Sequence, residues 1–242
     1  MRSMFSRKLP LWYQLSQILR SEILGGQLAP ASQIAPEVQL AKRYGVSVIT
    51  VRQALKSLEA DGLISRHRGR GTFVSPTLRT RKELQLIGSV ETIITQQWSE
   101  ETLVLEQSLM PVPPALAPLF GAHGEVSLFR RLRREAGAPF SYALNYVLPE
   151  YGNQMDPEAL RRYPMLKILR DVIGVKLKHV QISAEAQLAS HEVAQLLEVE
   201  LLSPVLFFSG MVYDERDRVV DVPWIYYRAD RFKFTVDLDV SG

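Results

Sequence analysis

Hydrophobic positions in the first quarter of the chain recur with helical spacing in three successive segments. The third segment follows a turn glycine, Gly45, and an N-capping serine, Ser47, and it ends at Asp61-Gly62. Its apolar stripe consists of Val51, Ala54, Leu55 and Leu58. Spacing of three and four predicts a helix that buries this stripe and exposes the residues between its members.

Two further helices precede this one. Glu37 to Tyr44 is a short apolar-anchored segment before the glycine turn, and the first helix is closed by Gly25-Gly26. The first helix carries Leu11, Leu15, Ile18, Leu19 and Ile23. Helix, glycine turn and capped helix in this order predict a helix-turn-helix, with the first helix bracing it. The outward face of the third helix then suits base edges and phosphates.

A hairpin follows the third helix. Ile64 to His67 and Thr72 to Val74 predict two short strands, joined by Arg68-Gly69-Arg70-Gly71. Two guanidiniums on such a turn suit a wing whose tip enters a narrow, negative minor groove. The alternative is an ordinary hairpin with solvated arginines. Ser75-Pro76 ends the last strand, because proline cannot donate to a strand ladder.

The remainder predicts a second domain of mixed strands and helices. The first domain covers residues 1–75, a charged linker covers 76–83, and the second domain covers 84–242. The predicted strands are Val126 to Arg134, Phe140 to Leu148, Val180 to Leu188, Val205 to Tyr213, Val219 to Tyr227, and Phe232 to Leu238, which closes the sheet. Helices are expected at Leu166 to Ile173 and His191 to Leu197. Hairpin-linked strands with interspersed helices indicate an antiparallel α+β fold.

The distribution of charged residues supports different functions for the two domains. Residues 1–79 carry 12 Lys and Arg against 4 Asp and Glu, whereas the remaining residues are net acidic and the whole chain carries +3. A basic segment joined to an acidic one suggests a nucleic-acid module attached to a regulatory module. The chain has no cysteine, its N-terminus lacks the apolar core of a signal peptide, and no apolar run reaches membrane-spanning length. We therefore expect a cytoplasmic protein without a membrane contact.

The motifs of the first domain are Leu11 to Leu15, Glu37 to Ala41, Gly45 to Ser47, Thr50 to Leu55, Asp61 to Ile64, and Gly69 to Val74, and those of the second domain are Arg131 to Arg133, Gly137 to Pro139, and Tyr227 to Phe232. With these motifs the first domain resembles the GntR-type bacterial regulators, and the second domain resembles the UTRA effector domain of the HutC subgroup. The resemblance covers nearly the whole chain. It implies a winged helix-turn-helix followed by a chorismate-lyase-like antiparallel α+β domain. It also implies a homodimer that binds a pseudo-palindromic double-stranded DNA operator and leaves it when a small-molecule effector binds.

The resemblance, the outward face of the third helix and the hairpin turn together predict the DNA contacts. The predicted DNA-binding residues are Val38, Ser47, Val48, Thr50, Arg52, Gln53, Arg68, Gly69 and Arg70. Arg52 matches a family arginine, whereas Val38 and Val48 stand where the pattern has two others. Ile49 adds a third aliphatic side chain beside Val48 at the start of the third helix. Aliphatic groups can read only the thymine methyl in the major groove, so half-sites richer in thymine and poorer in guanine are expected. The alternative is that these aliphatic residues pack under the wing.

The predicted effector-binding residues are Arg131, Arg133, Ser183, Asp221 and Tyr227. Arg131 and Arg133 share one side of a strand, where two guanidiniums can clamp a carboxylate or phosphate. The alternative is surface ion pairing with the acidic residues of this domain. A glutamate that the pattern places in the following strand is absent around Ala143, which leaves the effector class open.

Enzyme chemistry has little support in the sequence. The four histidines are scattered, and neither a metalloprotease motif nor a nucleophile elbow is present. No metal site and no cofactor are expected. The sequence therefore predicts a DNA-binding transcriptional regulator, most simply a repressor relieved by a small anionic effector. The alternatives are a lyase-like activity in the second domain and a ligand-independent DNA-binding protein.

Overall fold

The computed structural model describes residues 5, 9–76, 82–86 and 101–236. The chain divides into two compact units, Met1–Thr80 and Arg81–Gly242. The elements of the first unit are α1 (Leu11–Leu24), β1 (Gln33–Ile34), α2 (Glu37–Tyr44), α3 (Val48–Ala60), β2 (Ile64–His67) and β3 (Gly71–Val74). Its three strands form a small sheet in the order β1-β3-β2.

The helix-turn-helix forms as its pattern predicts. The four apolar residues of α3 are at most 1% exposed, and they share a core with Leu15, Leu19 and Ile23 of α1. Gly45 ends α2 with φ 67°, a left-handed conformation that glycine adopts at low cost. The side chain of Ser47 then accepts a hydrogen bond from the Thr50 amide, at 3.1 Å, which caps α3.

The hairpin after α3 is also confirmed. Ile64 pairs with Val74 and His67 with Gly71, so the two arginines fall on the turn. Strand β1, which pairs with β3 as a third strand, was not predicted from the sequence. Gln33 of β1 donates a hydrogen bond from Nε2 to the Arg70 carbonyl at 3.1 Å, which ties β1 to the base of the turn.

The second unit is built on a six-stranded antiparallel sheet in the order β5-β6-β7-β10-β9-β8. The strands are β5 (Glu101–Pro111), β6 (Glu125–Glu135), β7 (Ala138–Val147), β8 (Leu177–Leu188), β9 (Pro204–Asp214) and β10 (Val219–Arg228). The helices are α4 (Ala117–Phe120), α5 (Pro149–Gly152), α6 (Pro157–Arg162), α7 (Met165–Lys167), a π-helix (Ile168–Ile173) and α8 (His191–Leu197).

Helices cover both faces of this sheet. On one face, Phe129 and Val147 of the sheet pack against Leu160, Ile168 and Leu169, which lie on α6 and the π-helix. On the other face, residues of α4 and α8 pack against the alternate side chains of the same strands. Because side chains alternate along a strand, each of the central strands contributes to two separate cores.

Three details differ from the sequence predictions. Phe232 to Leu238 does not close the main sheet, because both edges of β10 are already paired with β7 and β9. Instead β11 (Phe232–Val236) pairs in parallel with β4 (Lys82–Leu86), as a separate two-stranded sheet. Lys82 and Glu83, predicted in the linker, therefore belong to a strand, while residues 77–81 and 237–238 lie outside the described part.

The single helix predicted at Leu166 to Ile173 is instead divided into α7 and the π-helix. A π-helix widens the backbone turn, and it occurs frequently at functional sites. Strand β5 was not predicted from the sequence. As an edge strand it is half-exposed along its length, so its side chains show no clear apolar face.

Candidate functional site

The first candidate surface lies on α2, α3 and the β2-β3 hairpin. Ile49, Arg52, Gln53 and Lys56 are all exposed, and they occupy positions i, i+3, i+4 and i+7, which form one stripe along α3. This stripe lies opposite the buried stripe, so it is the face that α3 offers to a partner. Three of its four members are polar, two of them cationic.

Arg52 is held by an ion pair that the sequence analysis missed. Its Nε donates to Glu37 Oε2 at 2.6 Å, although 64% of the Arg52 side chain remains exposed. Arg66 of β2 approaches the other Glu37 oxygen at 3.8 Å and donates to the Arg52 carbonyl at 3.4 Å. Exposed ion pairs contribute little to stability, so the effect of Glu37 is to orient the guanidinium. The Arg52–Glu37 contact could not be predicted from residue spacing, because it joins two different helices.

The other predicted contacts of α2 and α3 divide into two groups. The hydroxyls of Ser47 and Thr50 are 2.9 Å apart, and Ser47 caps the helix, so both are engaged in the helix start. Val38 is 68% exposed, whereas Val48 is half-buried. Packing under the wing is therefore wrong for Val38.

The hairpin tip presents Arg68, Gly69 and Arg70, all of them exposed. Gly69 has φ 76°, which allows the tight turn that brings both guanidiniums outward. The structure gives neither arginine an ion pair with any described residue. The tip is therefore a small cationic projection.

The second candidate site is a cavity of about 40 Å³ against one face of the six-stranded sheet. Arg131 and Arg133 of β6, Asn145 of β7, and Asp221 and Tyr227 of β10 line its polar side. Met165 and Leu166 of α7 are among its apolar lining residues. Each of the five polar residues is less than 10% exposed, so the alternative of surface ion pairing is wrong.

Hydrogen bonds join three of these five residues, Arg131, Asn145 and Asp221, in one chain. Arg131 donates from Nη1 to the carbonyls of Leu160 and Tyr163, and from Nη2 to Asn145 Oδ1 at 3.2 Å. Asn145 Nδ2 in turn donates to both oxygens of Asp221, at 3.1 and 2.9 Å. Asn145 thus separates the buried carboxyl group from the buried guanidinium.

Three buried polar atoms near these hydrogen-bonded residues have no hydrogen-bond partner among the described residues: Arg131 Nε, Arg133 Nη1 and Ser141 Oγ. Buried donors without acceptors are costly, and most are satisfied in folded proteins. Two guanidiniums also face a single carboxyl group. The cavity therefore holds an excess of positive charge and of hydrogen-bond donors.

The pKa values record the same imbalance. Burial and the charge of Arg133, opposed by the charge of Asp221, together lower the pKa of Arg131 to about 9. Burial raises the pKa of Asp221 to about 7, against the hydrogen bond from Asn145 and the charge of Arg131. Burial also raises the pKa of Tyr227, against the charge and the hydrogen bond of Arg133. At neutral pH the Arg131 guanidinium is charged, and the pKa of Asp221 lies far above that of an exposed aspartate.

Ser183 does not join this group. It pairs with Ser209, and alternation along β8 places its neighbour Ile182 on the cavity face instead. Ser183 lies beside a different, mainly apolar cavity of about 200 Å³ that Met211 and Trp224 also line. The prediction placed the residue on the correct strand and the wrong face.

Asn145 and Ser141 were missed by the sequence analysis. Both lie on β7 between apolar neighbours, and both are at most 2% exposed. Polar residues at alternate positions of an otherwise apolar strand were a signal that could have placed them beside Arg131 and Arg133. Ala143, between them, is directly paired with Arg131 on the neighbouring strand.

Comparison with known proteins gives consistent matches to both units. The model of the UTRA domain matches residues 96–233, and the model of bacterial regulatory proteins of the gntR family matches residues 13–74. The chain is 24% identical over 233 residues to the HTH-type transcriptional repressor NagR of Bacillus subtilis (strain 168), which covers 96% of each protein. It is 25% identical over 228 residues to the probable fructoselysine utilization operon transcriptional repressor of Shigella flexneri, which covers 94% of each.

A solved structure supports the fold. The possible transcriptional regulator YydK from Bacillus subtilis subsp. subtilis str. 168 matches with a TM-score of 0.58 at 19% identity. The match covers 96% of this chain and 100% of that one. Within the described residues, no helix is long and apolar enough to cross a membrane.

Proposed function

The chain belongs to the UTRA-domain family and carries a GntR-type DNA-binding unit, and from this premise we propose how it is controlled. It is a DNA-binding transcriptional regulator. We assign it to the HutC subgroup and to repressors whose operator binding is relieved by a small anionic metabolite. The two relatives described above are both named as repressors, which supports repression over activation.

The assignment of an anionic effector rests on one observation. Arg131 Nε and Arg133 Nη1 are buried donors without a partner among the described residues, in a cavity with two guanidiniums and one carboxyl group. Ala143 stands opposite Arg131, so no carboxylate balances the guanidinium from that position. A carboxylate or phosphate would offset the charge and accept both hydrogen bonds. We propose Arg131, Arg133, Asp221 and Tyr227 as effector-binding residues, and we exclude Ser183 because it does not line this cavity.

The size of the cavity limits what enters without rearrangement. About 40 Å³ accommodates a few waters or the charged end of a metabolite, but not a whole sugar or nucleotide. A larger effector therefore requires lining side chains to move, and we propose that Met165 and Leu166 of α7 are among them. The short α7 and the π-helix that continues it provide a segment with irregular hydrogen bonding at this position.

DNA binding is proposed through the exposed stripe of α3 and through the hairpin tip. Arg52, Gln53 and the wing arginines contact bases or phosphates, while Ser47 and Thr50 fix the start of α3. A homodimer would present two such surfaces to a pseudo-palindromic operator, as two-fold DNA-binding proteins commonly do. The protein would act in the cytoplasm, without a cofactor and without enzymatic turnover.

The test is a selection of bound duplexes from a random pool, followed by thermal unfolding with matched ligand pairs. Suitable pairs are sugar phosphates with their parent sugars, and carboxylic acids with their amides. We expect an anionic member to raise the unfolding temperature and its neutral partner to have no effect. Stabilisation by neutral partners alone would contradict the effector assignment, and conversion of a ligand to product would favour the lyase alternative.

A further inference from the structure

Ile49 and Val38 are the two most exposed large hydrophobic side chains of the described residues, at 75% and 68%. Neither belongs to the core of the first unit. Single exposed hydrophobic residues are common and need no explanation. These two, however, flank the same ion pair, because Val38 follows Glu37 and Ile49 lies one helical turn before Arg52.

The surroundings indicate what covers this aliphatic pair. Arg52 and Lys56 continue the exposed stripe of α3, and two further arginines occupy the hairpin tip. Residues 1–79 together carry three times as many cationic as acidic residues. A polyanionic partner fits this charge, and in a DNA major groove the one apolar feature on a base edge is the thymine C5 methyl group.

Glu37 fixes the orientation of the Arg52 guanidinium. It accepts from Arg52 Nε at 2.6 Å, and no hydrogen bond of the described residues engages the two terminal nitrogens of that guanidinium. Those nitrogens can therefore donate in parallel to guanine O6 and N7. The aliphatic side chains on either side cannot donate or accept, so they favour a thymine beside that guanine.

We propose that Ile49 and Val38 read thymine methyl groups next to the base contacted by Arg52, so that each half-site is a guanine bordered by thymines. This inference rests on the proposed DNA-binding function. It also divides the aliphatic residues of this surface: Ile49 and Val38 read bases, whereas the half-buried Val48 has less surface to offer.

Thymine-to-deoxyuridine replacement tests the contact, because it removes the methyl group and preserves base pairing. The full-length protein is titrated against the tightest duplex from a random-pool selection and against versions with single deoxyuridines. We expect affinity to fall about fourfold for each contacted methyl group, the scale of one buried methylene. Ile49→Ala should weaken binding to the thymine duplex by a similar factor and remove the response to deoxyuridine at its own position.

Two controls separate this contact from general effects. Leu188→Ala removes another exposed aliphatic side chain, at 64% exposure, from the second unit, so it should keep the wild-type ratio of thymine to deoxyuridine affinity. Lys56→Ala should weaken both duplexes equally, because a phosphate contact does not distinguish bases.

Equal affinity of the wild-type protein for both duplexes would overturn the proposal and leave DNA binding intact. An Ile49→Ala variant that dissociates into monomers by sedimentation would also overturn it, since the pair would then be a contact between copies. Absence of any selected sequence would instead refute the proposed function itself.

Discussion

Asp221→Asn should change how stability depends on pH. Asp221 is 1% exposed, and burial raises its pKa from 3.8 to about 7, so the folded protein holds this proton more tightly than the unfolded chain. Such a group stabilises the fold fully below the unfolded pKa, and the contribution is lost as pH rises through the folded pKa. A difference of about three pKa units corresponds to about 4 kcal/mol over the whole range, of which about 2–3 kcal/mol falls between about pH 5 and pH 8.

Denaturant titrations of the full-length wild-type and Asp221→Asn proteins at several pH values measure this contribution. Other carboxyl groups titrate in both proteins, and the pKa of Asp214 is lowered by its hydrogen bonds with Arg218 and Arg216, so only the difference between the two curves is diagnostic. We expect the wild-type protein to lose stability relative to the variant as pH rises. Asp221→Ala serves as a comparison that removes the proton and the hydrogen-bond acceptor together. Parallel pH profiles for wild-type and Asp221→Asn would refute the reasoning.

Three further predictions concern the two proposed surfaces. Arg52→Ala should leave folding intact, because alanine is tolerated at an exposed helix position, and should reduce operator affinity by about 1–3 kcal/mol in a titration at fixed salt; unchanged affinity would remove Arg52 from the interface. Replacing Arg68 and Arg70 together by alanine should flatten the dependence of log affinity on log salt by about one to two units, and a wild-type slope would show that the wing stays off the DNA. Arg133→Met keeps most of the side-chain volume and should abolish stabilisation by an anionic ligand while sparing DNA binding; a normal thermal response would place the effector elsewhere.

The sequence predicted best where local chemistry decides the structure. Gly45 and Ser47 determine where α2 ends and α3 begins, and the alternation of β6 placed Arg131 and Arg133 on one side of the strand. Contacts between elements were not predictable. The Glu37–Arg52 pair joins two helices, and Ser183 is separated from the cavity by one step of the strand pleat.

Strand partnership was the other feature that local patterns could not specify. Phe232 to Val236 reads as a strand, but which strand it pairs with depends on the edges that the rest of the fold leaves open. The burial of Arg131 could not be predicted from local patterns either. Its position in an alternating strand did not indicate that its side chain is nearly inaccessible to water. Its hydrogen bonds to carbonyls of Leu160 and Tyr163, about thirty residues away, explain how the fold holds it there.

The most direct test of the account is DNA release by an anionic ligand that binds at Arg133. Fluorescence anisotropy with the selected duplex should show that the ligand weakens DNA binding of the wild-type protein by about 5- to 150-fold, a coupling of about 1–3 kcal/mol. The Arg133→Met protein should bind the same duplex with wild-type affinity and show no change on adding ligand. If saturating ligand left the DNA affinity of the wild-type protein unchanged, the account of an effector-controlled repressor would be contradicted.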